Sequence, residues 1–227
     1  MQQKVNWYQG VNAEWRAAWA DRSFRIKFIV VIPVLLLILI SFPAFFGYIE
    51  KRPGIFLDDY LLRQLPPADM SLPIFIIIWG MTILWLLRCV QRAAFALLVL
   101  HAFTILCIVR TLTIYLVPLD PPAGLIPLAD PFTSVFYGGT DIFMTRDLFF
   151  SGHTSIQFLI FLTLEKKTDK IAAALSTLSI AVLVLVQHVH YSIDVVGAFI
   201  FTYAVYIAAR KTSAYQPAKL ALESKDF

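Results

Sequence analysis

The sequence predicts an all-α, polytopic membrane protein, a six-transmembrane-helix bundle with both termini in the cytosol. Three observations lead to this fold class. Of the 227 residues, 59% are hydrophobic and only 15% are charged, and the mean hydropathy is +0.74. Six apolar runs are long enough to cross about 30 Å of hydrocarbon as helices that rise about 1.5 Å per residue. Basic residues gather in alternate connections between these runs.

The six predicted spans form one membrane domain. They are residues 26–49, 73–90, 93–117, 148–164, 171–189 and 191–209. The last two runs join almost without a loop, so residues 187–190 are expected to form a tight hairpin. The chain therefore divides into a cytosolic interfacial segment at residues 1–25, a membrane domain at residues 26–210 and a cytosolic tail at residues 211–227. The first run lacks a small-residue cleavage site, so we expect it to remain as an anchor.

The positions of lysine and arginine predict the orientation. With a cytosolic N-terminus, 14 of the 19 basic residues fall on the cytosolic side, as the positive-inside rule requires. The fourth and sixth runs then begin on the exoplasmic side, which is periplasmic or lumenal. The net charge of +4 requires no nucleic acid partner, because the excess lies beside anionic lipid headgroups.

A stripe of large apolar residues precedes the first run. Trp7, Val11, Trp15 and Trp19 recur every four positions, which places them on one side of a helix. Such a helix either lies in the membrane interface or packs on the bundle. Both alternatives stay open from the sequence.

Two polar motifs interrupt the apolar pattern on the predicted exoplasmic side. The first is RDLFFSGHT, which contains Ser151, Gly152 and His153. His153 lies about one and a half helical turns inside the fourth run. The second is HYSID, in which His190 precedes Asp194 by four residues. On a helix this spacing stacks the two side chains, so the carboxylate can accept a hydrogen bond from the imidazole and make it a better nucleophile or base.

Arg110 lies inside the third run, where an unpaired guanidinium is costly. A phosphate group held between Arg110, the amides near Ser151 and Gly152, and the two histidines satisfies this charge. The alternative is an ion pair that only pins helices together. Its candidate partners are Asp147, Asp141 and Asp194.

Other polar residues have more than one interpretation. His188 is expected in the outer loop or as a support of the site, and Tyr115 and Ser192 are candidates for lining a headgroup cavity or for ordinary packing. A zinc ion is an alternative ligand for the polar cluster, although Arg110 is an unfavourable neighbour for a metal. The residues of that alternative are His153, His188, His190, Asp147 and Asp194. We predict no metal and no cofactor.

The two motifs resemble those of a known family. DLFFSGHT and HYSIDVV are similar to the signature motifs of the sphingomyelin synthase family, a branch of the type 2 phosphatidic acid phosphatase superfamily. QRAAFALLVLHAFTILCIVRTLTIYLVPLDPP resembles the arginine-bearing third helix of that family, and LPPADMSLPIF resembles its Pro-rich motif. The resemblance covers residues 65–210.

The resemblance implies a membrane phosphotransferase that moves a phospho-headgroup from a glycerophospholipid to a lipid alcohol such as ceramide, without a cofactor. It gives His190, oriented by Asp194, the role of nucleophile at phosphorus, and it gives His153 the role of proton donor to the departing diacylglycerol. A phosphohistidine then passes the headgroup to the alcohol. With water as acceptor, the same site acts as a phospholipase C or a phosphatase. The headgroup, choline or ethanolamine, and the oligomeric state, a homodimer included, stay open.

Two departures from the superfamily pattern bear on the substrate. Phosphatases of the superfamily typically carry an arginine six residues before the second histidine, where this chain has Val184. A phosphate monoester dianion needs several cationic donors and a phosphodiester monoanion needs fewer, so this departure favours a diester. TRD stands at residues 145–147 where the synthase branch usually has Cys-Gly-Asp. A lipid phosphate phosphatase is the alternative enzyme, and a transporter or scaffold is a third class.

Overall fold

The computed structural model describes residues 7–128 and 144–215. Asp141 and most of the predicted tail at residues 211–227 lie outside the described residues. The described part is helical. Its helices are α1 (Trp7–Ala20), α2 (Arg22–Ile49), α3 (Tyr60–Gln64), α4 (Ser71–Gln91), α5 (Ala93–Leu116), α6 (Gly152–Thr163), α7 (Lys167–Val186) and α8 (Ser192–Ser213).

Five of these helices, α2, α4, α5, α7 and α8, are long and apolar enough to cross a membrane. They indicate an integral membrane protein and confirm the all-α class. The bounds of α5 and α7 lie within a few residues of the predicted third and fifth spans. The count of six spans is not confirmed, because the helix in the fourth predicted span is short.

Helix α6 has 12 residues and is therefore about 18 Å long, whereas a span was expected at residues 148–164. The residues just before it are held by α5 instead of by helical hydrogen bonds. Thr113 Oγ1 donates to the carbonyl of Phe149 at 3.1 Å, and Arg110 Nε donates to the carbonyl of Phe150 at 3.1 Å. The Ser151 side chain caps α6 by accepting from the Thr154 amide at 3.4 Å.

Helix α6 lies inside the bundle, where it packs against α4, α5, α7 and α8. The side chains that surround it form the main hydrophobic core, in which the rings of Phe150 and Phe201 stack with centroids 4.9 Å apart. Trp85 Nε1 donates to Thr163 Oγ1 at 2.9 Å inside this core. The longer helices thus enclose a short helix whose first turn carries the first polar motif.

The predicted N-terminal helix is present as α1, and it packs on the bundle. Trp15 Nε1 donates to the carbonyl of Val90 at 2.8 Å, and the Glu14 carboxylate accepts from the amide of Ala93 at 3.0 Å. These contacts join α1 to the bend between α4 and α5. Trp7 is 62% exposed, so contact of this helix with the membrane interface remains a prediction.

Long-range contacts define two ends of the bundle. At one end, Lys27 Nζ donates to the carbonyl of Ala214, which joins the start of α2 to the end of α8. At the other end, Gln187 Nε2 donates to Ser71 Oγ at 3.2 Å, which joins the end of α7 to the start of α4. We call the latter the histidine end, because His190 follows α7 there.

Two connections, residues 50–70 and 117–128, cover the histidine end. They pair through a parallel bridge in which the Ile55 amide donates to the Pro118 carbonyl at 2.9 Å and the Asp120 amide donates to the Ile55 carbonyl at 3.0 Å. Gly54 permits this approach, because a Cβ atom there would lie 2.4 Å from the carbonyl carbon of Leu119. The two connections form one cover.

Asp59 connects this cover to α8 through hydrogen bonds. Its carboxylate accepts from the amides of Leu61 and Leu62 at the start of α3, at 3.0 and 3.2 Å. The other oxygen accepts from the amide and the hydroxyl of Ser192 at 2.6 and 2.7 Å. Partial burial raises the pKa of Asp59, but the hydrogen bonds from Ser192, Leu62 and Leu61 outweigh it and hold the pKa below its ordinary value of 3.8.

Replacing Asp59 with asparagine is expected to lower the melting temperature in detergent at pH 7. A carboxylate with a lowered folded-state pKa contributes stability above its unfolded value, and this contribution is lost as the pH falls through the folded-state pKa. The difference between wild type and variant should therefore shrink below pH 3.8. Asp58→Asn is the matched control, because Asp58 is 69% exposed. A difference that persists unchanged at low pH would contradict the role of the charge.

Candidate active site

The start of α6 brings the first polar motif to the histidine end. His153 is the second residue of α6, so it lies in the first turn and not about one and a half turns inside the helix, as predicted from the longer span. Ser151 is fully buried, and its amide donates to the carbonyl of Asp194 at 3.1 Å. This hydrogen bond ties the start of α6 directly to the first turn of α8.

The predicted contact between His190 and Asp194 is present, but its setting differs. His190 precedes α8 and Asp194 is the third residue of that helix, so the pair does not stack along one helix face. Asp194 Oδ2 lies 3.3 Å from His190 Nδ1 and also accepts from the Tyr191 amide at 3.0 Å. A carboxylate on Nδ1 fixes the tautomer in which Nε2 carries the lone pair. Nε2 of His190 is therefore the ring nitrogen that is available to a ligand.

His153 and His190 lie together, as expected for two groups of one site. Their ring centroids are 6.1 Å apart, with planes inclined at 63°. His190 is 3% exposed and Asp194 is fully buried, whereas His153 is half-buried. Two imidazoles at this separation can contact opposite sides of one phosphate group, one as a nucleophile and the other as a general acid or base.

Arg110 lies against the start of α6 and forms the ion pair that was predicted as an alternative. Its Nη2 atom is 2.7 Å from Asp147 Oδ1, and its Nε atom donates to the Phe150 carbonyl. A Cβ atom on Gly152 would lie 2.6 Å from Arg110 Nη1, so the guanidinium touches the first residue of the helix. A guanidinium beside helix N-terminal amides is a suitable environment for a phosphate.

Glu50 fixes the backbone that leads to Asp147. Its carboxylate accepts from the amide and hydroxyl of Thr145 at 2.7 and 2.9 Å and from the Arg146 amide at 2.8 Å. Arg146 Nη2 also lies 2.8 Å from Asp120 Oδ1. Sequence reasoning missed Glu50, because a glutamate at the end of an apolar run carries no local signal of a partner 95 residues away.

Tyr191 is a second residue of the site region that the sequence did not identify. Its hydroxyl donates to the Asp120 carbonyl at 2.9 Å and accepts from the Leu57 amide at 3.3 Å. A tyrosine hydroxyl is protonated at neutral pH and can therefore donate in this way. Tyr191 thus joins the cover of the histidine end to the residue beside His190.

Two predicted headgroup residues make other contacts. The hydroxyl of Ser192 donates to Asp59. Tyr115 is 55% exposed, stacks on Tyr48 and lies under Arg52, whose Cζ atom is 6.0 Å from the ring centroid. The roles of Ser192 and Tyr115 at a headgroup remain predictions. The structure does bring together the other predicted site residues, which are His153, His190, Asp194, Arg110, Asp147, Ser151 and Gly152.

His188 supports the loop next to the site. Nδ1 lies 2.8 Å from the Ala123 carbonyl, and Nε2 lies 3.0 Å from the Leu65 carbonyl. Both ring nitrogens thus face the connections that cover the histidine end. In residues 7–128 and 144–215, no group of three or more His, Cys, Asp or Glu side chains is placed to hold a metal ion, and the zinc alternative gains no support from this geometry.

Comparison with protein families gives a match over the C-terminal part of the chain. Residues 146–212 match the family model described as PAP2 superfamily C-terminal. The match supports the type 2 phosphatidic acid phosphatase superfamily. This PAP2 segment contains both histidines and Asp194, but it does not reach Arg110. It fits a lipid phosphatase or phosphotransferase and does not distinguish the sphingomyelin synthase branch. No curated protein and no solved structure matches the chain.

Proposed function

We propose that the protein is a phosphotransferase of the sphingomyelin synthase type, which moves a phospho-headgroup from a glycerophospholipid to a lipid alcohol such as ceramide. The observation that carries this proposal is the pair of histidine rings 6.1 Å apart, one of them held by Asp194. A nucleophile and a proton carrier on two sides of one phosphate are what a two-step transfer needs.

The charges around the site support a phosphodiester donor. Val184, which stands where phosphatases of the superfamily typically have an arginine, is fully buried in an apolar cluster with Leu62 and Ile180. Arg110 is already paired with Asp147. A cation half-neutralised in this way suits a monoanion better than the dianion of a phosphate monoester.

In the first step, His190 Nε2 attacks phosphorus, and the bond from phosphorus to the diacylglycerol oxygen breaks. Protonated His153 donates its proton to that oxygen, so diacylglycerol leaves as a neutral alcohol. Asp194 accepts from Nδ1–H and stabilises the positive charge that develops on the ring of His190. The product is a phosphohistidine that carries the headgroup.

In the second step, neutral His153 removes the hydroxyl proton of the incoming lipid alcohol. The alcohol oxygen attacks phosphorus, the phosphorus–nitrogen bond breaks, and His190 is regenerated with His153 protonated again. Water in place of the alcohol gives hydrolysis by the same groups.

We propose that these steps occur on the exoplasmic side. The positive-inside rule places most of the described basic residues in the cytosol, and these residues lie at the end of the bundle opposite the histidines.

Replacing Arg110 with lysine is expected to lower turnover about 100-fold, by analogy with the loss of one transition-state donor. Lysine keeps the charge but not the fork that reaches Asp147, Phe150 and the start of α6 together. Headgroup transfer would be measured with purified protein at equal expression. Arg63→Lys is the control, because Arg63 is 58% exposed. Unchanged turnover of the Arg110 variant would reduce this residue to a structural role.

Mass spectrometry of the lipids tests the proposal as a whole. Purified protein would be incubated with phosphatidylcholine, phosphatidylethanolamine, phosphatidic acid and ceramide, with the His190→Ala variant as blank. A ceramide phosphodiester and diacylglycerol in equal amounts support transfer. The PAP2 match also favours a second candidate, a lipid phosphate phosphatase, and release of inorganic phosphate from phosphatidic acid without transfer would select it.

A further inference from the structure

A cavity of about 360 Å³ lies at the end of the bundle opposite the histidines. It is formed where α4 ends, α5 begins and the connection from α6 to α7 passes, and its walls include Arg88, Arg92 and Lys166. From His153 to Leu164, which also lines the cavity, the rise along α6 is about 16 Å. The cavity is therefore separate from the candidate active site.

Arg88 is held rigidly at this cavity. Its Nε atom donates to Asp169 Oδ2 at 2.7 Å, and its Nη1 atom donates to Gln91 Oε1 at 2.7 Å. Asp169 is 9% exposed, so this ion pair is largely buried. Arg88 Nη2 has no hydrogen bond to any residue in the described ranges, and a fixed guanidinium with a remaining donor is suited to an anionic oxygen.

Two more cations of the cavity are available for a ligand. Arg92 pairs with Glu165, but their side chains are 52% and 65% exposed, and such exposed pairs contribute little stability. Lys166 is exposed and forms no salt bridge in the part of the chain that the structure describes. Helix α7 starts directly after Lys166, and its dipole adds partial positive charge at the same place.

The remaining walls combine polar residues, Gln91, Glu165 and Asp169, with two apolar ones. Phe95 and Leu164 supply the apolar part, which suits the first carbons of a glycerol backbone. Asp169 and Glu165 are paired with Arg88 and Arg92, and Lys166 leaves the lining with a net positive charge. The cavity lies at the ends of membrane-spanning helices, where phospholipid headgroups are found, and its volume falls in the usual range of ligand pockets. We propose that it binds the phosphate headgroup of an anionic phospholipid from the leaflet opposite the histidines.

Native mass spectrometry of the full chain in detergent, titrated with phosphatidylglycerol, tests this site. The Arg92→Gln/Lys166→Gln variant should bind phosphatidylglycerol at least about tenfold more weakly than wild type, since each basic residue near an anionic headgroup contributes to binding. The control is Arg210→Gln/Lys211→Gln, which removes the same charge from the end of α8. This control variant should bind phosphatidylglycerol within about twofold of wild type. It loses only the non-specific attraction between basic residues and an anionic lipid, and salt screens that attraction. Equal binding by wild type and both variants would overturn the proposal.

Two further experiments show why binding is weakened in the Arg92→Gln/Lys166→Gln variant. The exchange Arg92→Lys/Lys166→Arg keeps the charges and should restore most of the affinity, whereas a site that merely holds the fold together would not respond in this way. Melting temperatures of all variants would show that each is folded. Inorganic phosphate is the second probe, and displacement of phosphatidylglycerol by phosphate at equal concentration would overturn the assignment to a lipid. Binding is measured without turnover, so failure here leaves the proposed function unaffected.

Discussion

Replacing His190 with alanine is expected to abolish both headgroup release and covalent labelling of the protein, with a loss of turnover of about 10⁴-fold or more. The reason is that the Asp194 carboxylate lies 3.3 Å from Nδ1 of this ring and orients it. Labelling would be followed with a phospholipid that carries a radioactive headgroup. Asp194→Asn should fall between wild type and His190→Ala, because the ring keeps its place but loses the charge that stabilises it.

A substrate with a good leaving group separates the two histidines. In the proposed mechanism His153 is the proton donor for a poor alkoxide leaving group. A nitrophenol ester of phosphocholine has little need of that proton. This ester should therefore partly rescue His153→Ala and not His190→Ala. Equal rescue of both variants would rule out the assigned roles, and rescue of His190→Ala alone would exchange them.

The Gly152→Ala variant is expected to remain folded and to lose about 100-fold or more in turnover. Its new methyl group would lie 2.6 Å from Arg110 Nη1, and the end of a flexible side chain yields more easily than backbone does. The guanidinium must therefore leave the start of α6, where the phosphate is proposed to bind. Melting temperature and headgroup transfer would be measured together.

Gly80→Ala provides the matched control for this variant, because a Cβ atom at Gly80 would have no neighbour within 4 Å outside its own helix backbone. The double variant Gly152→Ala/Arg110→Lys adds a stricter test. If the alanine acts through the guanidinium, the double variant should be no less active than the worse single variant, since coupled residues are not additive. Multiplied losses would show that Gly152 acts independently of Arg110.

The sequence predicted those parts of the site that depend on local spacing. The contact of His190 with Asp194 was predictable because four residues separate them, although the cap of α8 and not the helix face produces it. The pairing of Arg110 with Asp147 was one of three candidate ion pairs, since a buried cation needs a partner but does not specify which one.

Features of the site that depend on residues far apart in the sequence could not be predicted. Apolar residues run without a break from Leu148 to Phe150, so periodicity alone extends the fourth helix back to that point. In the structure, Arg110 and Thr113 donate hydrogen bonds to the carbonyls of Phe150 and Phe149, and the helix begins only after these residues. The bond from Ser192 to Asp59 joins residues 133 positions apart, and no local pattern indicates such a pairing.

Because α6 begins only at Gly152, the candidate active site lies below the end of the bundle. Arg110 lies six residues before the end of α5, so the groups that touch it are recessed by about 9 Å along that helix. The side chains of Arg110 and Asp147 are only 16% and 21% exposed, and burial away from water strengthens the attraction between a guanidinium and a phosphate. In the proposed reaction the surrounding bilayer supplies the lipid alcohol, whereas water has to reach groups that are mostly buried. In the proposed reaction, the position of the short helix itself favours transfer over hydrolysis.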